Sequence, residues 1–552
     1  MVCSCISCMS CVNTTQRFNS VSGNYLFCWL IIISLLLLPM SVSAQMAQNL
    51  MIGNAKAIAL GNAVTADPPG IDAIHFNPAG LAKLKGRQLQ LKLVLGNADV
   101  YGEFHSNSEY QELLDRYGLQ DPMVDTSSEI EAFAVYLPGS GVTEIPALIA
   151  PLGGVSYNPP ASNFTLGTSV YAPLMLGYVR DENDIGRFYG KEIGMSRVTF
   201  FSPTIAWQVS DTFSFGMGIG FSYTGIGLNL DYRAANQLLG GLYTATNDIC
   251  GGEDNGYLWQ GVSVDLCGGE ISPFSKLLNL DVQLEKQIST TVNLGFIWQP
   301  TPWFSLGLLY QSEADDRLEG DIKVSLDEGV IGLLSGLANS NAFLGSVVTA
   351  TELTKNGGQI NTSGYIDLVL PQHAALGISL QLFPDLKINI DYKWTETSKW
   401  EAFDFRLDEP LPILSFIQFI ENIEKNAIVF PRGYEDSANF AFGIEYQATD
   451  RLAVRFGYEP RDSGVPKDKL DFLIPLGDFN LYGLGFSYQL AKGSIFDISL
   501  GYGKSDQFIP AGSSTNGNYN GLDNFVYNPS AGLDVRSVIE FSVLEFSYRT
   551  HF

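Results

Sequence analysis

The sequence predicts an all-β fold: a 14-stranded antiparallel transmembrane β-barrel with an N-terminal hatch, or plug, on its periplasmic side. Three observations predict it: alternating strands, gaps that are by turns very short and very long, and an export leader. The alternation is plainest where Phe213, Phe215, Met217, Ile219, Phe221 and Tyr223 interleave with Ser214, Gly216, Gly218, Gly220 and Ser222. A period of two sends the two sets to opposite faces of a strand. An aromatic-rich face backed by Gly and Ser suits lipid on one side and a lumen on the other.

The leader comes first in the chain. Residues 26–40 form an apolar block of signal-peptide length, and Arg17 is the only charge before it. Val42 and Ala44 sit at the −3 and −1 positions of a cleavage site, so residues 1–44 read as a signal peptide and the mature chain starts at Gln45. The block is short for a spanning helix. Cys28 opens the apolar core instead of following it, which is wrong for a lipoprotein. Cys3, Cys5, Cys8 and Cys11 are too tightly spaced for a usual zinc finger and have no His nearby. Met9 offers a later start within an over-extended leader. Beyond Ala44 no apolar run reaches the roughly 18 residues a membrane helix needs. A closed barrel is then the remaining way to satisfy every backbone group in lipid.

Strands are predicted at 87–104, 146–157, 164–178, 195–209, 212–230, 287–298, 303–325, 362–382, 386–403, 438–447, 451–461, 478–490, 494–504 and 536–552. Most exceed the roughly 9–11 residues that cross a bilayer, so several should project above it. Pro146, Pro151, Pro173 and Pro371 interrupt the second, third and eighth. Six short turns, such as Ser210-Asp211 and Phe383-Pro384-Asp385, alternate with seven long gaps at 105–145, 179–194, 231–286, 326–361, 404–437, 462–477 and 505–535. Periplasmic turns and extracellular loops sort in this way, and an even strand number returns both termini to the periplasm. The last strand places Leu544, Phe546, Tyr548 and Phe552 on one face, with a slip of parity expected near Arg549.

Residues 45–86 do not alternate. A short helix is expected over 55–64, followed by Asp67-Pro68-Pro69-Gly70 and then Ala73 to Leu81. A barrel of this strand number is too wide for its own side chains to fill. Gly216, Gly218, Gly220, Gly295, Gly377, Gly443, Gly457, Gly483, Gly485, Gly501 and Gly503 all fall on the inward side, leaving room for this segment as a hatch. Residues 87–552 then form the barrel and its loops.

The formal net charge of −26 argues against nucleic acid as a partner. Of seven cysteines only Cys250 and Cys267 follow the leader, and in an exported chain they read as one disulfide closing a loop. Only His75, His105, His373 and His551 are available as bases, and none lies in a nucleophile pattern, so no enzyme, cofactor or metal is expected. A structural or adhesin-type barrel is the competing class. It leaves the hatch and the apolar loop segments without a purpose.

Asn77-Pro78-Ala79-Gly80-Leu81, after a Gly/Ala-rich stretch and an Asp, resembles the hatch motif of the FadL family of outer-membrane transporters. The resemblance extends to Leu370-Pro371, to Tyr392, Trp394 and Trp400, and to Arg461-Asp462-Ser463-Gly464-Val465-Pro466, so it spans the mature chain. It implies passive uptake of a hydrophobic small molecule, most simply a long-chain fatty acid, with aromatic hydrocarbon or alkane as the alternative. It also implies movement of a hatch N-terminus at Gln45 and Met46, and a third-strand kink, here at Gly167 or Pro173, opening a lateral gap. The partners expected are outer-membrane lipid and lipopolysaccharide, with the assembly machinery reading Phe552, and the protein is expected to be a monomer.

Two apolar segments in otherwise polar loops suit a landing site: one with Leu333, Leu334 and Leu337, the other with Phe416 and Phe419. Exposed apolar surface costs about 25 cal/mol per Å², so such segments pack together or hold a ligand. A carboxylate would favour a cation, and Arg197, Lys393 and Arg455 point inward by parity. The competing reading pairs them with lumen acids such as Asp391, Glu445 and Glu459.

Overall fold

The computed structural model describes residues 52–552 apart from 146–147, 236, 251–256, 260–261, 265–268, 270, 340–356, 411–423, 476, 491–492 and 520–527. The calls on Gln45, Met46, Cys267, Phe416 and Phe419 lie outside the described residues. No helix among the described residues is long and apolar enough to cross a membrane.

The wall is a closed, antiparallel barrel of 14 strands. The first strand, Gly86–Ser106, pairs with the second, Leu148–Asn158, on one edge and with the last, Leu533–His551, on the other. The ladder from Gln88↔His551 to Ser106↔Leu533 joins the first strand to the last and closes the ring. Between them run Phe164–Val179, the broken fourth strand Glu192–Phe201 and Thr204–Ser210, Phe213–Tyr232 and Leu278–Thr301. The seventh to tenth strands are also broken, as in Gln359–Leu370 and His373–Phe383, where Pro371 cannot donate to the ladder. Leu452–Arg461, Phe479–Gln489 and Ile495–Ile509 complete the series.

Elements beyond these breaks also differ from expectation. The sixth strand begins at Leu278, not near 287, because a bulge between Lys286 and Ser289 reverses its parity and hides the continuation of the alternation. The last strand keeps an unbroken register through Arg549, so no slip occurs there. Within the expected loop 105–145 the chain forms a hairpin, Ala132–Leu137 and Gly141–Ile145, which lies on the outside of the wall.

The hatch occupies the lumen at the short-turn end. Its helix is shorter than expected, Ala55–Ala59, and starts at Asn54, whose side chain accepts from Lys56 N and Ala57 N. Gly61 and Asn62 take positive φ values of 58° and stop it. The wall meets this segment with a belt of register-aligned glycines. Gly216 stands opposite Gly295, Gly307 opposite Gly377, and Gly443, Gly457, Gly483 and Gly501 follow in succession across four strands. A Cβ at Gly457 would overlap Gly61 N, and one at Gly483 would overlap Ile58 O. The inward glycines therefore let hatch backbone rest directly on wall backbone.

Candidate functional site

Each residue of the hatch motif has a mechanical reason. Asn77 donates to Thr65 O at 2.8 Å and to Phe296 O at 3.0 Å, tying the hatch to itself and to the sixth strand. Its Oδ1 accepts from Ala79 N and caps the short helix Pro78–Lys83, where Pro78 gives up no hydrogen bond at the first position. A Cβ at Gly80 would overlap Pro68, so Gly is required there.

On the opposite side the hatch is held by charge. The buried Asp72 carboxylate accepts from Lys92 Nζ at 2.8 Å, Asn54 at 2.7 Å, Gln90 at 2.9 Å and Ser169 at 3.1 Å. Asp391 accepts from Val64 N and Thr65 N, both at 2.8 Å. At the rim Asp67 bridges Lys56 and Lys387. Burial alone would raise the Asp67 carboxyl, but Lys56 and Lys387 outweigh it and hold it well below the usual carboxylate range.

Two adjoining cavities lie above the hatch, the first of them apolar. A cavity of about 40 Å³ is lined by Leu174, Ile193, Met195, Ile226, Trp400, Phe403, Phe430 and Leu473 among others, without a polar contribution. Directly adjoining it, with Leu174 and Trp400 shared, is a second cavity of about 50 Å³. Its lining is mixed: His75 of the hatch, Arg197, Thr291 and Gln311 are set among Pro173, Leu370 and Pro371. Burial pushes the His75 imidazole down to about 3, with His373 and Lys92 adding to the effect, so it is neutral in this wall.

The three candidate cations fare differently. Lys393 is taken by Glu459 at 2.7 Å, and Arg455 by Glu445 at 2.6 Å and Asp497 at 2.9 Å. Neither lines a cavity described above. Arg197 sends Nη1 to Ser289 at 2.7 Å, Thr224 at 3.2 Å and Asp316 at 3.3 Å, and Asp316 is shared with Lys286. Its Nη2 is buried without a hydrogen-bond partner. A buried guanidinium donor left unmade carries the desolvation cost of that group, which an acceptor reaching it would relieve.

The third strand's register with the fourth shifts between Tyr171 and Leu174, across Pro173; Gly167 pairs regularly with Ser156 and Thr204. Cys250 is disulfide-bonded. Leu333 and Leu334, on the helix Glu328–Asn339, are buried in a cluster with Val330, Ile271 and Ile360; the side chain of Leu337 is outside the described set. A ligand would reach the two buried leucines only after that cluster opens. Sequence reasoning missed Asp316, Thr291 and Gln311, which alternation places on inner faces but which only the wall's closure brings to Arg197.

A closed barrel, plugged from its short-turn end and holding an apolar cavity above the plug, defines a hydrophobic-compound channel of the bacterial outer membrane. Residues 38–552 match the family described as Outer membrane protein transport protein (OMPP1/FadL/TodX), and the chain belongs to that family. Among curated relatives it is similar to the long-chain fatty acid transport protein of Escherichia coli O6:H1, 20% identical over 339 residues, which are 61% of this chain and 66% of that relative. Among solved structures it is similar to a Pseudomonas aeruginosa FadL homologue, with a TM-score of 0.61 at 18% identity over 92% of this chain and 100% of the other. The Ralstonia pickettii toluene transporter TbuX shares the fold, with a TM-score of 0.54 at 15% identity over 91% and 99%. The family is one of transporters, not of enzymes.

Proposed function

We propose that this protein carries long-chain fatty acids across the outer membrane by passive diffusion, holding the carboxylate at Arg197. The observation that carries the reading is Arg197, with its Nη2 unpartnered, in the wall of a mixed cavity that adjoins a wholly apolar one. The pair of cavities matches an amphiphile with one acidic end, and Thr291 and Gln311 lie beside the same end. A neutral hydrocarbon would use the upper cavity alone. The curated relative named for long-chain fatty acid transport supports the first reading, and the toluene transporters of like fold keep the second in the test.

In this reading residues 1–44 are removed on export, 45–86 form the hatch, and the terminal Phe552 serves the assembly machinery. The protein then works as a monomer in lipid and lipopolysaccharide, with Cys250 paired to Cys267. The helix Glu328–Asn339 and the segment carrying Phe416 and Phe419 form the outer landing surface.

The test is binding of oleate and of 1-hexadecanol to detergent-extracted protein, wild type against Arg197→Gln. A charge-assisted hydrogen bond is worth about 1.5–3 kcal/mol, so oleate should weaken roughly 10- to 100-fold while the alcohol is unchanged. Equal loss for both ligands, or no loss for oleate, overturns the carboxylate reading.

A further inference from the structure

The loop between the eleventh and twelfth strands, residues 462–478, folds back into the barrel. Asp471, Phe472 and Leu473 at its tip are buried. Asp471 makes the turn: its Oδ1 accepts from Leu473 N at 3.1 Å and Ile474 N at 3.0 Å, and its Oδ2 pairs with Arg432. The turn sends Phe472 to the inner face of the first strand, where a Cβ at Gly102 would overlap its ring. That ring meets Phe104 at 5.7 Å and Tyr189 at 5.6 Å, both edge to face, and Arg180 lies over it at 4.7 Å. Tyr178 of the third strand donates to Leu473 O at 3.0 Å, and Gln507 of the thirteenth donates to Asp471 O at 3.2 Å. The tip is therefore a bar across the barrel, held by the first, third and thirteenth strands.

The bar roofs the apolar cavity. Leu473 and Ile474 belong to its lining, together with Leu174 and Leu176 of the third strand. Leu174, Leu176 and Tyr178 share one parity, so they mark successive levels of the inner wall. Leu174 pairs with Arg197, and the bar is tied four residues higher, at Tyr178. A strand rises about 3.3 Å per residue, which sets the two levels about 13 Å apart along the strand. An extended octanoate chain is shorter than this span, and an extended hexadecanoate chain is longer.

We propose that Leu473 and Ile474 determine specificity by tail length: they are the roof that measures a molecule held at Arg197. A tail that ends below the roof binds under a resting bar, and a longer one binds only by raising it. The inference rests on the carboxylate reading above and adds a length threshold to it. Each carbon buried beneath the roof should strengthen binding about fourfold. A carbon beyond it gains nothing, because Phe472 must first leave Gly102 and Phe104, and Leu473 must release Tyr178. The bar is able to move, since residues 470–474 belong to no strand or helix and raising them breaks no ladder.

The test is the affinity of detergent-extracted protein for saturated acids from octanoate to octadecanoate and for the matching alcohols. In wild type the affinity should climb about fourfold per carbon and stop climbing between octanoate and hexadecanoate. Leu473→Ala raises the roof without touching Arg197, so the climb should continue to longer chains. A reversible lock supplies the converse. A Cβ at Gly517 would lie 3.5 Å from Asp471 Cβ, within disulfide reach, so Asp471→Cys with Gly517→Cys ties the bar down. When oxidised, this variant should bind octanoate within about twofold of wild type and hexadecanoate at least roughly tenfold more weakly. Reduction should restore hexadecanoate, with wild type under the same reductant as control. A climb that stops at the same length in Leu473→Ala overturns the roof, as does a verified crosslink that leaves hexadecanoate unchanged. Equal loss of both acids overturns it too, since the bar would then be an entrance and not a gauge. Should acids bind no better than alcohols of the same length, the carboxylate reading falls, and the break in the alcohol series still decides the roof.

Discussion

The hatch and the outer hairpin are two segments laid against the same wall, one inside and one outside, and both lie on aligned glycines. Inside, glycines of eight wall strands face the hatch; outside, Gly177, Gly194 and Gly227 align as a trough beneath the hairpin. The hatch adds a buried ion pair, Lys92 with Asp72, and backbone hydrogen bonds to Asp391. The hairpin adds three bonds to side chains of the wall, one of them to an exposed group. Removing a Cβ lets backbone lie on backbone in both places. What surrounds the glycines decides whether the contact is a seal or a seat.

The largest effect should come from breaking the seal. In Gly483→Val the new side chain meets Ile58 O, which is main chain and cannot rotate away. Overpacking of this kind costs about 1–3 kcal/mol or more, and here the displaced body is the plug. Single-channel recording should show a steady leak at least roughly tenfold above wild type. Gly241→Ala, where a Cβ meets nothing within 4 Å, serves as the control and should leave conductance unchanged.

This contrast marks how far the sequence could be read. Alternation, loop order and the terminal Phe552 define 14 strands because each is local and periodic. The inward glycines stand out for the same reason, but their alignment depends on register between strands far apart in the chain, such as Gly307 with Gly377. The same holds for Arg197: parity turns it inward, yet Lys393 and Arg455 have the same parity and differ only in their neighbours. The hairpin was lost in a loop because Ala132–Leu137 is apolar on both faces, one set meeting the wall and the other packing with Val94 and Phe541. No period of two survives when both faces are buried.

An intermediate effect is expected at the charged side of the hatch. Asp72→Ala leaves Lys92 buried and unpaired, a loss of about 3–5 kcal/mol for a broken buried pair. The glycine belt should still retain the hatch part of the time, so recordings should show brief openings instead of a steady leak. Proteolysis within residues 45–86 should rise in parallel. A variant with wild-type conductance and protease resistance would show that the glycine contacts alone hold the plug.

The smallest effect is expected outside. Gly225→Val drives a side chain into the Tyr136 ring, which stacks on Tyr223 at 6.4 Å and belongs to the outer hairpin. The hairpin can yield by lifting, where the hatch cannot. Ion conductance should therefore stay at the wild-type level, since the plug is untouched. Proteolysis near the exposed tip, residues 138–140, should rise several-fold over wild type in folded, membrane-inserted protein. If Gly225→Val instead leaks ions as Gly483→Val does, the outer trough is part of the seal and the hairpin is not a separate movable body.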